Sequence, residues 1–202
     1  KSGTTTLFRH LAAHPQIYMP PDKELAFFQD DDRYARGFAW YMSEYFGDAK
    51  PGALKGEASP HYMCYDVVPE RIWASAPHVK LIAVLRNPID RAHSHYRMTR
   101  RRGLEPRSFE EAVAAVTGRP PEEGRTVDIH RDYVPFSQYG RILNAYLEWF
   151  PAEQLKIVFT EDLERDPLQV TQELYGFMGV RPDFIPDTLH RRYHVGGTRR
   201  IP

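Results

Sequence analysis

Two short segments carry the residue types needed to hold an anion. The first, Lys1-Ser2-Gly3-Thr4-Thr5-Thr6-Leu7, joins one glycine to four hydroxyl side chains and a lysine. Glycine lets a backbone approach a ligand closely, and a helix starting here would add its first-turn amides and the positive end of its dipole. The plainer reading of the same residues is a Ser/Thr cap on a surface helix. The second segment, Arg86-Asn87-Pro88-Ile89-Asp90-Arg91-Ala92-His93-Ser94, follows directly on the apolar run Leu81-Ile82-Ala83-Val84-Leu85. That places Arg86 at the carboxyl end of a strand, where open α/β sheets bind ligands. Ser94 falls about two turns into the next helix, able to share an anion with Arg86. The plainer reading here is an Arg86–carboxylate pair and a helix-surface hydroxyl.

The first segment is not the usual triphosphate loop, in which lysine follows the second glycine of G-x-x-x-x-G-K-[ST]. Here Lys1 precedes the glycine, and the later strand ends in Arg86 where a kinase or ATPase places a magnesium-binding Asp. Two cations and no acid suit a phosphate ligand that arrives without a metal.

The elements that position these residues follow from periodicity. Helices are expected over 5–14, 38–46, 68–76, 89–101, 139–150 and 168–178, and strands over 54–57, 80–85 and 155–159. The two longer strands are nearly continuous apolar runs, which suits parallel strands covered on both faces. Residues 118–124 read as a Pro/Gly-rich loop. The alternation predicts a three-layer, P-loop-like α/β domain, a central parallel sheet flanked by helices, in one unit over 1–202.

Lys plus Arg and Asp plus Glu both number 27, so no global field draws the chain to nucleic acid or to a membrane. The Arg97–Arg102 run either steers an anionic acceptor or is solvated helix surface. No stretch approaches the roughly 20 apolar residues of a membrane span. Cys64 is the single cysteine, so no internal disulfide forms; a reducing, cytoplasmic setting is expected. The chain opens inside its first motif, so the native N-terminus is expected to lie upstream, and the C-terminus is expected to be trimmed as well.

Together, K-S-G-T-T-T-L and L-R-N-P-x-x-R-x-x-S resemble the 5′-phosphosulfate and 3′-phosphate motifs of sulfotransferases that use 3′-phosphoadenosine 5′-phosphosulfate (PAPS). Glu24-Leu25-Ala26-Phe27-Phe28, the segment from Lys55 to Tyr62 and residues 139–151 extend the likeness toward the heparan sulfate N- and 3-O-sulfotransferases and their bacterial relatives. The resemblance implies that Lys1, Ser2, Gly3, Thr4, Thr5 and Thr6 hold the 5′-phosphosulfate, with Lys1 also at the bridge oxygen. It implies that Arg86 and Ser94 hold the 3′-phosphate, that Glu24, after the Pro20-Pro21 turn and otherwise read as a surface acid, is the base that takes the acceptor's proton, and that Gly197 and Arg199 belong to a loop closing over the donor. Other sulfotransferases use a histidine base, which makes His14, His61 and His93 fallback candidates, each with a structural reading beside it. His61 stands out among them, beside Ser59 and Pro60 in an expected substrate-side loop. The implied reaction is in-line transfer to a hydroxyl or amine, on a carbohydrate or small metabolite, with PAP as product and no metal. Three departures lie outside the donor motifs: Ala26 replaces a histidine of the 3-O branch, Ala58 a lysine, and the animal enzymes' disulfide is impossible here.

Two other classes fit parts of the pattern. A metal-dependent small-molecule kinase would need a Walker-type lysine and an acidic ligand at a strand end. A non-catalytic domain binding nucleotides or sulfated glycans would be expected to lose Lys1 or Arg86, and both are present.

Overall fold

The structure, a computed structural model, describes residues 2–117 and 127–190. The expected loop over 118–124 lies outside them. Helix α1 (Thr4–Ala12) leads to β1 (Ile17–Tyr18), followed by α2 (Asp31–Ala35), α3 (Phe38–Phe46), β2 (Leu54–Lys55) and α4 (Val68–Ser75). Strand β3 (Leu81–Leu85), α5 (Pro88–Arg101), α6 (Phe109–Thr117), α7 (Tyr139–Leu147), β4 (Leu155–Phe159), α8 (Thr160–Arg165) and α9 (Pro167–Met178) complete the order.

All recorded strand pairing is parallel. Strand β1 runs beside β2 with Ile17 opposite Leu54, and β3 beside β4 from Leu81 opposite Leu155 to Leu85 opposite Phe159. The strands therefore form two parallel pairs rather than one continuous ladder among the described residues.

The side chains of β3 show how helices cover both faces. Leu81 packs against a cluster containing Phe27, Tyr41, Phe46, Tyr62, Ile142 and Phe150, from α3, α7 and the loops between. Ile82 and Val84 pack instead against Leu7, Leu11, Val158, Leu163 and Leu174, from α1, β4, α8 and α9. Successive strand residues point to opposite faces, so the two clusters lie on opposite sides of the sheet. Each fully buried aromatic, such as Phe27 or Tyr175, contributes on the order of 1.5–3 kcal/mol through burial.

Strand β4 departs from expectation. Ile157 and Phe159 are 39% and 51% exposed, because β4 pairs only with β3 among the described residues and its alternate side chains turn outward. Helix α6 adds to the predicted set. It opens on a reciprocal cap: Ser108 N–H donates to Glu111 Oε2 at 2.8 Å and Glu111 N–H to Ser108 Oγ at 3.2 Å.

Candidate active site

The phosphate loop is built by one backbone conformation and one hydroxyl strap. Gly3 has φ +72°, ψ 8°, the left-handed region that glycine enters without steric cost, and it turns the chain into α1. No side chain caps this helix, whose ladder begins with Leu7 N–H donating to Gly3 O at 3.1 Å. The first-turn amides ahead of that bond and the positive end of the dipole make the end of α1 suited to an anion. Thr4, Thr5 and Thr6 line this turn half-buried, and Ser2 is buried. Thr160 Oγ1, the first residue of α8, lies 3.1 Å from Ser2 O and 2.9 Å from Leu85 O. A single hydroxyl thus ties the phosphate loop to the carboxyl end of β3, one residue before Arg86.

Arg86 leaves β3 half-buried and sits 3.9 Å from Asp90 Oδ2. Such a pair between partly exposed groups is weak, so it holds Arg86 loosely. Around it the backbone is fixed firmly. Asn87 Oδ1 caps α5 by accepting from Ile89 N–H and Asp90 N–H at 3.0 and 3.3 Å. Asn87 N–H donates to Glu161 Oε1 at 3.1 Å, which keeps the Glu161 carboxyl below the usual range. The second arginine of the motif does different work. Arg91 is buried, donating through Nε to Ser137 Oγ at 2.5 Å and to the Tyr133 carbonyl; burial lowers its pKa. Ser94 lies half-buried on the following turn of α5. Tyr139, at the start of α7, sits near the Arg86 backbone and the Ser2 side chain, with its phenol raised by burial.

The segment around Glu24 is held in a strained conformation. Glu24 and Ala26 have φ of 61° and 60°, and they are the non-glycine residues with positive φ among those described. A non-glycine residue in this region costs on the order of 1 kcal/mol or more and persists only where its surroundings hold it. Here Glu24 N–H donates to Ala58 O at 3.1 Å, Leu25 is buried with its carbonyl accepting from Arg33, and Ala26 O accepts from Asp30 N–H at 3.1 Å. The Glu24 side chain itself is exposed. Beneath the turn lies Glu57. Its Oε2 accepts from Ser59 Oγ at 2.8 Å and its Oε1 is sealed from solvent. Burial raises the Glu57 carboxyl, opposed by the hydroxyls of Tyr62, Ser59 and Tyr41 and by the Leu25 N–H.

The three histidines separate by their surroundings. His14 Nδ1 accepts from Gln16 N–H at 3.1 Å, which leaves Nε2 to donate to Arg181 O at 3.0 Å. Both ring nitrogens of this buried residue are engaged in structure. His93 is exposed on α5 and packs edge-on against Phe109. His61 is half-buried in the 3₁₀ turn Pro60–Cys64, three residues beyond Ala58, whose carbonyl holds Glu24. Lys1, Gly197 and Arg199 lie outside the described residues. The structure therefore brings Ser2–Thr6 and Arg86 together through Thr160, and ties Glu24 to the strand-turn segment that carries His61. Thr160, Glu57 and Lys23, whose Nζ donates to Thr5 Oγ1 at 3.0 Å, were not singled out by the sequence. Thr160 and Lys23 find their partners far along the chain, and Glu57, although two residues from Ser59, sits in no pattern that sets it apart.

A cation-bearing strand end strapped to a glycine-led helix N-terminus makes an anion-binding site, with a carboxylate turn beside it. Residues 1–193 match the model of the sulfotransferase domain, and the chain belongs to that family. It is 33% identical to a sulfotransferase from Alicyclobacillus acidocaldarius whose crystal structure superposes with a TM-score of 0.80, covering 93% of this chain and 81% of that one. A heparan sulfate glucosamine 3-O-sulfotransferase 5 from Mus musculus is 30% identical over 90% of this chain and 51% of its own length. The bifunctional heparan sulfate N-deacetylase/N-sulfotransferase 3 of Homo sapiens is 32% identical, over 91% of this chain and 22% of that protein. The chain thus spans about half, or about a fifth, of the length of these curated relatives.

Proposed function

We propose that this chain transfers a sulfuryl group from PAPS to a hydroxyl or amine on a carbohydrate or small metabolite. The observation that carries the reading is the Thr160 strap, which joins the phosphate loop to the strand end bearing Arg86. Two separate anion-holding elements fit a nucleotide with a 5′-phosphosulfate and a 3′-phosphate. PAPS supplies the activated sulfuryl group. Ser2, Gly3 and Thr4 to Thr6, with Lys1, hold the 5′ end, and Arg86 and Ser94 hold the 3′-phosphate. Glu24 takes the proton that the acceptor loses as its oxygen or nitrogen bonds to sulfur and the bond from sulfur to the bridge oxygen breaks, releasing 3′-phosphoadenosine 5′-phosphate (PAP). The residues supply alignment and positive charge where the leaving phosphate becomes more negative. Gly197 and Arg199 belong to the same proposal as parts of a closing loop, and His61 as an acceptor-side contact.

A glycan acceptor is supported by the heparan sulfate relatives, while Ala26 and Ala58 point to an acceptor surface unlike that of the 3-O branch. A cytoplasmic setting belongs to the same proposal, supported by Cys64 being the single cysteine.

Calorimetric titration with PAP, in the absence of magnesium and beside ATP, tests the donor. Micromolar PAP binding with much weaker ATP binding is the expected result. Arg86→Ala is expected to weaken PAP by roughly 10- to 150-fold, the equivalent of a charge-assisted hydrogen bond of ~1.5–3 kcal/mol. Tighter binding of magnesium-ATP, or an unchanged Arg86→Ala variant, would move a kinase reading ahead.

A further inference from the structure

Lys23 stands in a place that helix stability does not explain. Its ammonium donates to Thr5 Oγ1 at 3.0 Å, in the first turn of α1, and lies 5.5 Å from the centre of the Phe8 ring one turn further on. A cation at a helix N-terminus meets the like-signed end of the dipole. The Phe8 ring returns part of that cost through its negative face. The arrangement becomes favourable outright when an anion occupies the turn, because the ammonium, the dipole and the amides then act on the same charge.

The root of this side chain is as informative as its tip. Lys23 precedes Glu24, so the two Cα atoms are about 3.8 Å apart. The Glu24 backbone is pinned to Ala58 O, while the Lys23 tip reaches back to the phosphate loop. In an in-line transfer the leaving phosphate, the sulfuryl group, the acceptor and the base lie in that order. A side chain rooted beside the base and ending at the phosphate loop spans the position of the sulfuryl group.

We infer that Lys23 is a donor-binding cation for the sulfuryl end of the nucleotide, exchanging its contact with Thr5 for one with a sulfuryl oxygen when donor is bound. The inference rests on the PAPS reading above and concerns a different part of the nucleotide from Arg86. It makes Lys23 and Glu24 a consecutive pair in which one residue grips the group being transferred and the other faces its acceptor.

The test compares two nucleotides that differ only in the sulfuryl group. Calorimetry with PAPS and with PAP, in the absence of acceptor, is run on the unmodified protein and on Lys23→Met and Lys23→Arg. Lys23→Met is expected to weaken PAPS by roughly tenfold or more and PAP by no more than about threefold, in keeping with the loss of one charged hydrogen bond to the sulfuryl group alone. Lys23→Arg is expected to recover most of the PAPS affinity, and both variants to melt within about 2 °C of the parent, since Lys23 is half-buried and outside the core. Equal losses for the two nucleotides would reduce Lys23 to a prop for the phosphate loop and overturn the inference, as would no loss at all. Failure of the unmodified protein to bind either nucleotide would overturn the donor assignment itself, a result distinguishable from the other two.

Discussion

The proposed donor half and the proposed acceptor half of this site are made by different means. On the donor side, Ser2 to Thr6 and Arg86 to Ser94 are consecutive residues at a helix start and a strand end, and backbone geometry does most of the positioning. On the acceptor side, Glu24 occupies a turn that its own sequence disfavours, held by Ala58, Arg33 and Asp30. Two carboxyls show the same contrast in their protonation. Glu105, just after α5, receives Arg107 through Nε and Nη2, both at 2.7 Å, and Tyr133 Oη at 3.0 Å; Arg107 above all holds it down to about 2. Glu57, under the acceptor turn, has hydroxyl neighbours rather than a guanidinium, and burial raises it. A local motif can be exchanged between proteins intact, whereas a turn held by long-range contacts has to be rebuilt each time.

The sharpest way to break the comparison is Glu24→Gln. Loss of a positioned base is expected to lower kcat by roughly 10²- to 10⁴-fold, with PAP affinity unchanged by calorimetry. A parallel fall in PAP affinity would mean that the two halves are one unit. A smaller effect is expected from Thr160→Val, which keeps the shape and leaves the Ser2 and Leu85 carbonyls without their shared donor. A cost of about 1–3 kcal/mol in stability, read by denaturant melts, should come with weaker PAP binding and an unchanged acceptor KM. The smallest effects are in pH dependence, and their signs are opposite. Glu105, lowered from an ordinary 4.5 to about 2, stabilises the fold above the ordinary value and loses that contribution as pH falls toward about 2. Glu57, raised from 4.5, contributes stability that is complete below 4.5 and is lost as pH rises through its folded value. Melting curves of Glu105→Gln are therefore expected to show a flatter acid limb, and those of Glu57→Gln a smaller loss of stability on moving from pH 4 to neutral. Matching slopes in the two variants would remove the electrostatic side of the contrast.

The halves also differed in how readily they could be read from sequence. The phosphate loop, the Arg86 segment, the helix over Phe38–Phe46 and the strands around 81–85 and 155–159 are set by neighbours a few residues apart, and periodicity and motif spacing found them. Helix α6 was missed, although Ser108-x-x-Glu111 is a capping box that marks its start. The exposure of Phe159 was not legible, since an apolar run looks the same whether one face or both are covered. Nor was the tyrosine and serine ring around Glu57, or the contact of Lys23 with Thr5 across 18 positions. These depend on where β2 and the turn after it dock, a matter of tertiary packing with no local signature.

The positive φ at Ala26 has a bearing on which sequences can carry this activity. Glycine is the residue best suited to such a backbone, asparagine and aspartate tolerate it, and a β-branched side chain fits it worst. Alanine, two positions beyond Glu24, is thus a compromise between conformational cost and rigidity. Drift toward valine, isoleucine or threonine at this one site would carry Glu24 out of place while every residue that touches donor or acceptor stayed the same. A survey of natural or selected variants would then find position 26 nearly as intolerant as Glu24 itself, although its methyl group has no polar atom to offer a ligand.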